Sequence, residues 1–144
     1  MDIQRKKLKK VPQFSDLHAY LIELNNNGII EREELVSMLP PLFLAPSKED
    51  CILDMCASPG SKTLHLLEMI QQGNGCIVAN EANMNRIGML INHLSCCHST
   101  KIAVTHCLAQ DFPPTPLSSS FDKVLCDVPC SGDGTLVSLL RFIN

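Results

Sequence analysis

From residue 51 onward the sequence alternates short apolar runs with segments of helical spacing, and this alternation is the feature that most constrains the fold. The predicted strands are residues 51–56, 76–79, 102–105 and 121–128, each a short apolar run beside turn residues. The predicted helices are residues 61–70 and 84–94, where apolar side chains recur every three or four positions. This order predicts an α/β domain with a mostly parallel sheet and flanking helices, whose ligands bind at the carboxyl ends of the strands.

The first 50 residues lack this alternation. Apolar positions between residues 14 and 24 predict a helix that ends at the Asn- and Gly-containing stop signal of residues 25–28. A second short helix is predicted at residues 31–38, broken by Pro40 and Pro41. We divide the chain into a basic arm at residues 1–12, a helical lead-in and connector at 13–50, and the α/β segment at 51–144.

Composition excludes several classes of protein. Of the 144 residues, 45% are hydrophobic and 19% are charged, which is typical of a globular domain and not of a disordered chain. The longest apolar stretch, residues 35–45, contains Ser37 and two prolines and falls short of the roughly 18 residues of a membrane span, so no membrane segment is expected. No apolar segment follows the basic start, so no signal peptide is expected either.

The eight cysteines are therefore predicted to be thiols in a reducing compartment, inside the cell. The basic charge is concentrated at one end of the chain, since residues 1–10 hold five basic side chains against one acidic side chain. Such an arm can contact a nucleic-acid phosphate backbone non-specifically, or serve as an import signal, so the expected location is the nucleus, the nucleolus or the cytoplasm. A solvated arm without a partner is the alternative.

One candidate binding site lies at the ends of the first two predicted strands. Asp54 is late in the first strand, Gly60 lies in the turn before the helix, and Glu81 follows the second strand, 21 residues after Gly60. In nucleoside sites a glycine lets the backbone approach the ligand, and an acidic residue about 20 positions later accepts the ribose hydroxyls. A single glycine favours a ligand without phosphates, such as a methionine-bearing nucleoside. A strand, turn and helix of this kind also occurs without any ligand.

Two further features lie later in the chain. Asp127 and Cys130 flank Pro129 after the fourth strand, where a cysteine could react, although an inert buried thiol is the usual state of a single cysteine. A cluster of possible zinc ligands lies along the chain between the second strand and Asp127, at His93, Cys96, Cys97, His98, His106 and Cys107. Its spacing fits no standard zinc motif, so ordinary cysteines at a helix end are favoured and no metal is expected.

Three segments resemble the NSUN-type RNA cytosine-C5 methyltransferases, and are most similar to the eukaryotic tRNA branch. They are residues 54–63 (DMCASPGSKT), residues 125–135 (LCDVPCSGDGT) and residues 36–41 (VSMLPP). The resemblance covers roughly residues 33–135. It implies a Rossmann-like class I methyltransferase fold, S-adenosyl-L-methionine as cofactor, and RNA, in particular tRNA, as substrate.

The resemblance also implies roles for individual residues. The cofactor loop comprises Cys56, Ala57, Ser58, Pro59, Gly60, Ser61 and Lys62. Glu81 would bind the ribose, at a position where the family usually has Asp, and Asp127 would lie near the methionine end. The usual acid after the third strand aligns with Leu108, so Asp111, three residues later, is the expected substitute near the adenine.

In such enzymes a cysteine thiolate adds to cytosine C6, C5 takes the methyl group, and a base then removes the C5 proton so that elimination releases the enzyme. The resemblance assigns release to Cys130, beside Asp127, and the attack to a later cysteine, but residues 131–144 contain none. The chain is therefore expected to be truncated after the fourth strand and unable to methylate RNA alone. The alternatives are a non-catalytic module that binds cofactor and RNA, and an unrelated α/β protein with a zinc site. The sequence leaves the oligomeric state open.

Overall fold

The computed structural model describes residues 14–27, 29–31, 33, 35–113 and 121–129. The helices are α1 (Ser15–Asn26), α2 (Leu39–Leu44), α3 (Ser61–Ile70) and α4 (Met84–Ser95). The strands are β1 (Cys51–Asp54), β2 (Cys76–Asn80), β3 (Ile102–Thr105) and β4 (Lys123–Leu125), and a 3-10 turn occupies Ala109–Asp111. This order confirms the predicted α/β class.

The four strands form one parallel sheet in the order β3-β2-β1-β4. From β1 the chain moves outward through β2 to β3, and then returns to the other side of β1 for β4. The order therefore reverses between β1 and β4, which is the topological switch point where open α/β sheets bind their ligands. Both β1 and β4 end there, at Asp54 and Leu125, which are register partners.

The core lies on the face of the sheet that carries Ile52, Ile77 and Ala79. Ile52 and Ile77 are register partners and pack against three apolar side chains of α3, namely Leu66, Leu67 and Ile70. Ala79 lies two residues after Ile77, on the same face, and packs against Leu90 and Leu94 of α4. Both helices therefore cover one face of the sheet.

Most predicted boundaries are confirmed to within two residues, but two differ clearly. The helix predicted at residues 31–38 is wrong: residues 35–38 form turns, and the helix α2 begins at Leu39 and includes Pro40 and Pro41. Proline is tolerated in the first turn of a helix because the N–H groups there have no partner within the helix. The fourth strand is also shorter than the predicted 121–128, since pairing with β1 involves only Lys123–Leu125.

The lead-in contacts the α/β segment through two acidic side chains near its middle, Glu31 and Glu33. The Glu31 carboxylate accepts a hydrogen bond from the Ser61 hydroxyl at 3.0 Å and lies 2.9 Å from Nε2 of His93. A Glu33 oxygen lies 3.7 Å from Nδ1 of His65. These contacts join the lead-in to α3 and α4.

The basic arm lies outside the described residues. Among the residues that are described, no helix is both long and apolar enough to cross a membrane.

Candidate functional site

Asp54 anchors the turn between β1 and α3. Its Oδ2 accepts a hydrogen bond of 2.7 Å from the Thr63 hydroxyl, and the backbone N–H of Cys56 also donates to the carboxylate. The residue is 1% exposed, and this burial raises the pKa of Asp54 from 3.8 to about 6, although the Thr63 and Cys56 hydrogen bonds act in the opposite direction. Asp54 therefore orders the turn at the switch point, and its carboxylate is hydrogen-bonded to groups of the protein itself.

The loop of residues 57–60 is held in place by β2 and α4. The Ala57 N–H donates to the Asn80 carbonyl at 2.8 Å. From α4, the Arg86 guanidinium donates to the Ser58 carbonyl, and Nδ1 of His93 lies 2.9 Å from the Pro59 carbonyl. The loop is therefore fixed by its backbone groups, as a surface that receives a ligand requires.

Gly60 is required at the end of this loop. Its φ of 114° lies in the left-handed region, and a Cβ there would approach Leu90 Cδ1 to 3.2 Å and His93 Nδ1 to 3.4 Å. The packing of α4 alone therefore favours glycine at this position, and the predicted approach of the Gly60 backbone to a ligand stays a prediction. The chain passes directly from Gly60 into the first turn of α3.

Glu81 has a buried carboxylate oxygen without a hydrogen-bond partner among the described residues. The residue is 4% exposed, and its Oε1 accepts a hydrogen bond of 2.8 Å from the Asn83 N–H. Its Oε2 has no hydrogen-bond partner in the part of the chain that the structure describes, and the Arg86 guanidinium lies 3.8 Å away, too far for a hydrogen bond. A buried oxygen in this state is costly and is expected to receive a donor from a ligand or water.

Asn80 is a residue of the site that the sequence reasoning missed. It is fully buried, and its amide donates to the carbonyls of Met55 at 3.1 Å and Cys107 at 2.9 Å. Its Oδ1 accepts from the Thr105 hydroxyl at 3.0 Å and from the Cys107 N–H at 3.2 Å. Asn80 thereby joins the segments that follow β1 and β3. A buried amide at the end of an otherwise apolar strand, directly before Glu81, was the available signal.

A cavity of about 270 Å³ lies between these segments. Its lining includes Met55, Cys56, Glu81, Leu108, Gln110 and Pro129. Burial raises the pKa of the Cys56 thiol, and the nearby charges of Cys126, Glu81, Asp54 and Asp127 add to this effect. The Cys56 thiol is therefore protonated at neutral pH, which suits a binding surface and not a nucleophile.

Asp127 lies beyond β4 and pairs with the cofactor loop. One of its oxygens is 2.9 Å from the Lys62 ammonium, with the two side chains 49% and 23% exposed respectively. Lys62 also lines a second cavity of about 240 Å³ together with Ala57, Ser58, Pro59, Ser61 and two lead-in residues, Glu33 and Ser37. The loop thus separates two cavities, one facing Glu81 and the other facing the lead-in.

The structure brings most of the predicted site residues together. Cys56 and Glu81 line one cavity, residues 57–60 form the adjoining loop, and Ser61 and Lys62 begin α3, where Lys62 contacts Asp127. Asp111 stands apart, because it is exposed at the end of the 3-10 turn and is not among the residues that line the 270 Å³ cavity. Cys130 lies outside the described residues. The described residues contain no group of three or more His, Cys, Asp or Glu side chains able to hold a metal ion.

The sequence and the fold both match known methyltransferases. Residues 41–138 match the family model of the 16S rRNA methyltransferase RsmB/F. The multisite-specific tRNA:(cytosine-C(5))-methyltransferase of Saccharomyces cerevisiae is 38% identical over 149 residues, covering 94% of this chain and 22% of the yeast protein. The chain spans about a fifth of the length of the curated relatives that it matches along most of its length.

Solved structures give the same result. A methyltransferase homologue from Pyrococcus horikoshii superposes with a TM-score of 0.66 at 28% identity, covering 93% of this chain and 40% of the other. NSun6 from the same organism, solved with SFG, gives a TM-score of 0.61 at 28% identity, covering 68% of this chain and 25% of the other.

Proposed function

The chain belongs to the RsmB/F family of methyltransferases, and from this membership we propose that it is the cofactor-binding part of an enzyme that methylates cytosine C5 in RNA. The cofactor is S-adenosyl-L-methionine, which supplies an activated methyl group when bound. The S. cerevisiae relative acts on tRNA, which makes tRNA the substrate class that we favour. The basic arm at residues 1–12 is suited to contact the phosphates of such an RNA.

The proposal rests mainly on one buried oxygen of Glu81, which lies on the wall of the 270 Å³ cavity and has no hydrogen-bond partner among the described residues. A nucleoside whose ribose hydroxyl donates to Oε2 would satisfy this oxygen, while Oε1 stays bonded to the Asn83 N–H. NSun6 from P. horikoshii was solved with SFG, an analogue of S-adenosylmethionine, which supports the same class of ligand.

The other residues divide the remaining work of binding. The segment from Cys56 to Lys62 would contact the ligand, and its position is held by Arg86 at the Ser58 carbonyl and by His93 at the Pro59 carbonyl. Asp127, paired with Lys62, would lie at the methionine end, because β4 ends beside β1 at the switch point. Leu108 and Gln110 form the cavity wall on the side expected for the adenine. The contact of Asp111 with the adenine stays a prediction.

Catalysis requires two thiols in the mechanism that the family resemblance implies. We assign release of the methylated base to Cys130, assisted by Asp127 two residues after β4 ends. Residues 131–144 contain no cysteine that could attack cytosine C6. We therefore propose that this chain binds the cofactor but does not complete methylation alone, which leaves a non-catalytic cofactor- and RNA-binding form as the alternative role.

Isothermal titration of the chain with S-adenosyl-L-methionine tests the binding site. Glu81→Ala should weaken binding by about 10- to 100-fold, because one charge-assisted hydrogen bond is lost. Glu68→Gln is the matched control, since Glu68 is exposed on α3 and lies outside the 270 Å³ cavity. Equal affinities for the two variants would contradict the role of Glu81.

A single-turnover assay with unmodified tRNA and labelled cofactor separates the two roles. We expect cofactor binding without transfer of the methyl group. Methylation of the RNA by the purified 144-residue chain would show that the attacking thiol is already present, and would overturn the second half of the proposal.

A further inference from the structure

Two cysteines meet at the amino end of the sheet, opposite the candidate site. Cys51 is the first residue of β1 and Cys76 is the first residue of β2, and the two are register partners. Their sulfur atoms are 3.2 Å apart. Adjacent strands are about 4.8 Å apart, which lies within the range of Cα separations that disulfides span. No large rearrangement is needed to join these two sulfur atoms.

The two thiols differ in their surroundings. Cys76 is exposed, whereas Cys51 is partly buried. Burial raises the pKa of Cys51 to about 11, and the hydrogen bond and charge of Cys76 and the charge of Asp122 act in the same direction. The Cys51 thiol is therefore protonated at neutral pH, and Cys76 is the thiol that a dissolved reagent can reach first.

The other cysteines of the described segments offer no comparable pair. Cys96 and Cys97 are adjacent in sequence, but each thiol donates to a backbone carbonyl, of His93 and Leu94 respectively, at 2.8 Å. Among the described residues, no second pair of sulfur atoms lies within hydrogen-bonding distance. Sulfur-to-sulfur proximity thus distinguishes Cys51 and Cys76.

We propose that Cys51 and Cys76 form a reversible disulfide by exchange with a small disulfide such as glutathione disulfide. The Cys76 thiolate attacks one sulfur of glutathione disulfide, and the first glutathione leaves as a thiolate that takes up a proton. Cys51 then loses its proton and attacks the Cys76 sulfur, so that the mixed disulfide breaks and a second glutathione leaves. The two protein thiols are oxidised, and one glutathione disulfide is reduced to two glutathione molecules.

A disulfide between Cys51 and Cys76 would also stabilise part of the candidate site. Residues 51 and 76 bracket the turn at Asp54, the loop of residues 57–60 and the whole of α3. Closing this segment restricts the unfolded chain, and the thermal midpoint should rise by roughly 10 °C. The cofactor loop would be stabilised from the opposite end of the same two strands.

The test is incubation of the reduced, folded 144-residue chain with glutathione disulfide, followed by alkylation, proteolysis and mass spectrometry. We expect a peptide pair linked through Cys51 and Cys76, which dithiothreitol then separates. Cys51→Ser should retain glutathione on Cys76, because the resolving thiol is gone, whereas Cys76→Ser should leave Cys51 unmodified. Cys96→Ser/Cys97→Ser is the control and should form the Cys51–Cys76 bond at the unchanged rate.

Two results would overturn the proposal. One is a stable glutathione adduct on Cys76 while Cys51 is present and the circular dichroism spectrum shows a folded chain. The other is oxidation of any other cysteine pair before Cys51 and Cys76.

Discussion

The two ends of the sheet differ in how their polar groups are satisfied. At the amino end, the Cys51 N–H donates to the Asp122 carboxylate at 2.8 Å, and the Gly75 N–H donates to the Lys48 carbonyl at 2.9 Å. The Lys101 ammonium there donates to the carbonyls of Ile70, Gln71 and Gly73. At the carboxyl end, by contrast, a buried oxygen of Glu81 has no hydrogen-bond partner among the described residues, although the Arg86 guanidinium lies 3.8 Å away.

This difference supports the proposal that the carboxyl end of the sheet is the end that binds a ligand. Polar groups that are paired within the protein stabilise it without help, whereas an unpaired buried acceptor costs stability until a ligand supplies a donor. The carboxyl end is not uniformly open, however, because Asp54 and Asn80 are both bonded within the protein. Among the described residues, the site therefore consists of a hydrogen-bonded framework that presents one buried oxygen without a hydrogen-bond partner, Oε2 of Glu81.

Substitution of Gly73 tests the packing at the amino end of the sheet and should have the largest effect on stability. A Cβ at this position would lie 2.2 Å from the Lys48 carbonyl oxygen, so the backbone would have to move. Gly73→Ala should lower the free energy of unfolding by about 3 kcal/mol, measured by urea titration. Cofactor affinity of the folded protein should be unchanged, since Gly73 does not line the 270 Å³ cavity and lies at the opposite end of the sheet.

Gly88→Ala is the matched control. Gly88 is exposed inside α4, and a Cβ there meets no atom within 4 Å, so alanine should raise stability by about 0.5 to 1 kcal/mol. If both alanine variants had the same effect, the contact with Lys48 could not be the reason for the glycine at residue 73.

Much of this arrangement could be predicted from the sequence. The bounds of α3 and β3 follow from local patterns, because apolar spacing and the turn residues around them agree with the final packing. Glu81 was predicted from its distance to Gly60 along the chain, and the structure places it on the cavity wall.

The rest depends on contacts between distant residues, which no local pattern contains. Pro40 and Pro41 suggested a break in a helix, yet they lie in the first turn of α2, where the missing N–H groups cost nothing. The role of Asn80 depends on the Cys107 and Thr105 groups that β3 brings to it. The pairing of Cys51 with Cys76 likewise becomes visible only once the strand register is known.

The hydrogen-bonded framework at the carboxyl end can be tested through the effect of Asp54 ionisation on stability at different pH values. Its pKa is raised to about 6 in the folded chain from an ordinary 3.8, so the folded state binds more protons than the unfolded state between these values. Stability should therefore fall as the pH rises, by about 2 kcal/mol between pH 4 and pH 7. Asp54→Asn cannot ionise, and we expect this part of the pH dependence to disappear from its thermal unfolding curves.

Comparison of the two proteins at each pH isolates the contribution of Asp54 from that of the other acids. The stability of Asp54→Asn relative to the parent chain should increase steadily from pH 4 to pH 7. A constant difference over that range would show that the Asp54 carboxyl titrates normally, and that the turn is not as dry as its 1% exposure indicates.

His93 tests the link between the lead-in and the loop, and its effect should be the smallest. Burial alone would lower the pKa of His93, but hydrogen bonds to the Glu31 carboxylate and the Pro59 carbonyl outweigh it and raise the pKa. The stabilisation is therefore present at low pH and is lost as the pH rises through the raised pKa. Because His93 and Glu31 are 24% and 29% exposed, we expect a loss of only about 0.5 kcal/mol between pH 6 and pH 8.

His93→Gln removes the charge at every pH, so its stability should approach that of the parent chain as the pH rises from 6 to 8. His106→Gln serves as the control, because the ring of His106 is exposed and contacts only the Ala82 carbonyl among the hydrogen bonds of the described residues, at 3.1 Å. Hydrogen exchange of α1 and the following residues gives the second measurement. Protection factors there that are lower at pH 8 than at pH 6 in the parent chain, after correction for the intrinsic pH dependence of exchange, but equal at the two pH values in His93→Gln, would show that protonated His93 holds the lead-in against the cofactor loop, since Glu31 is the lead-in residue that it contacts.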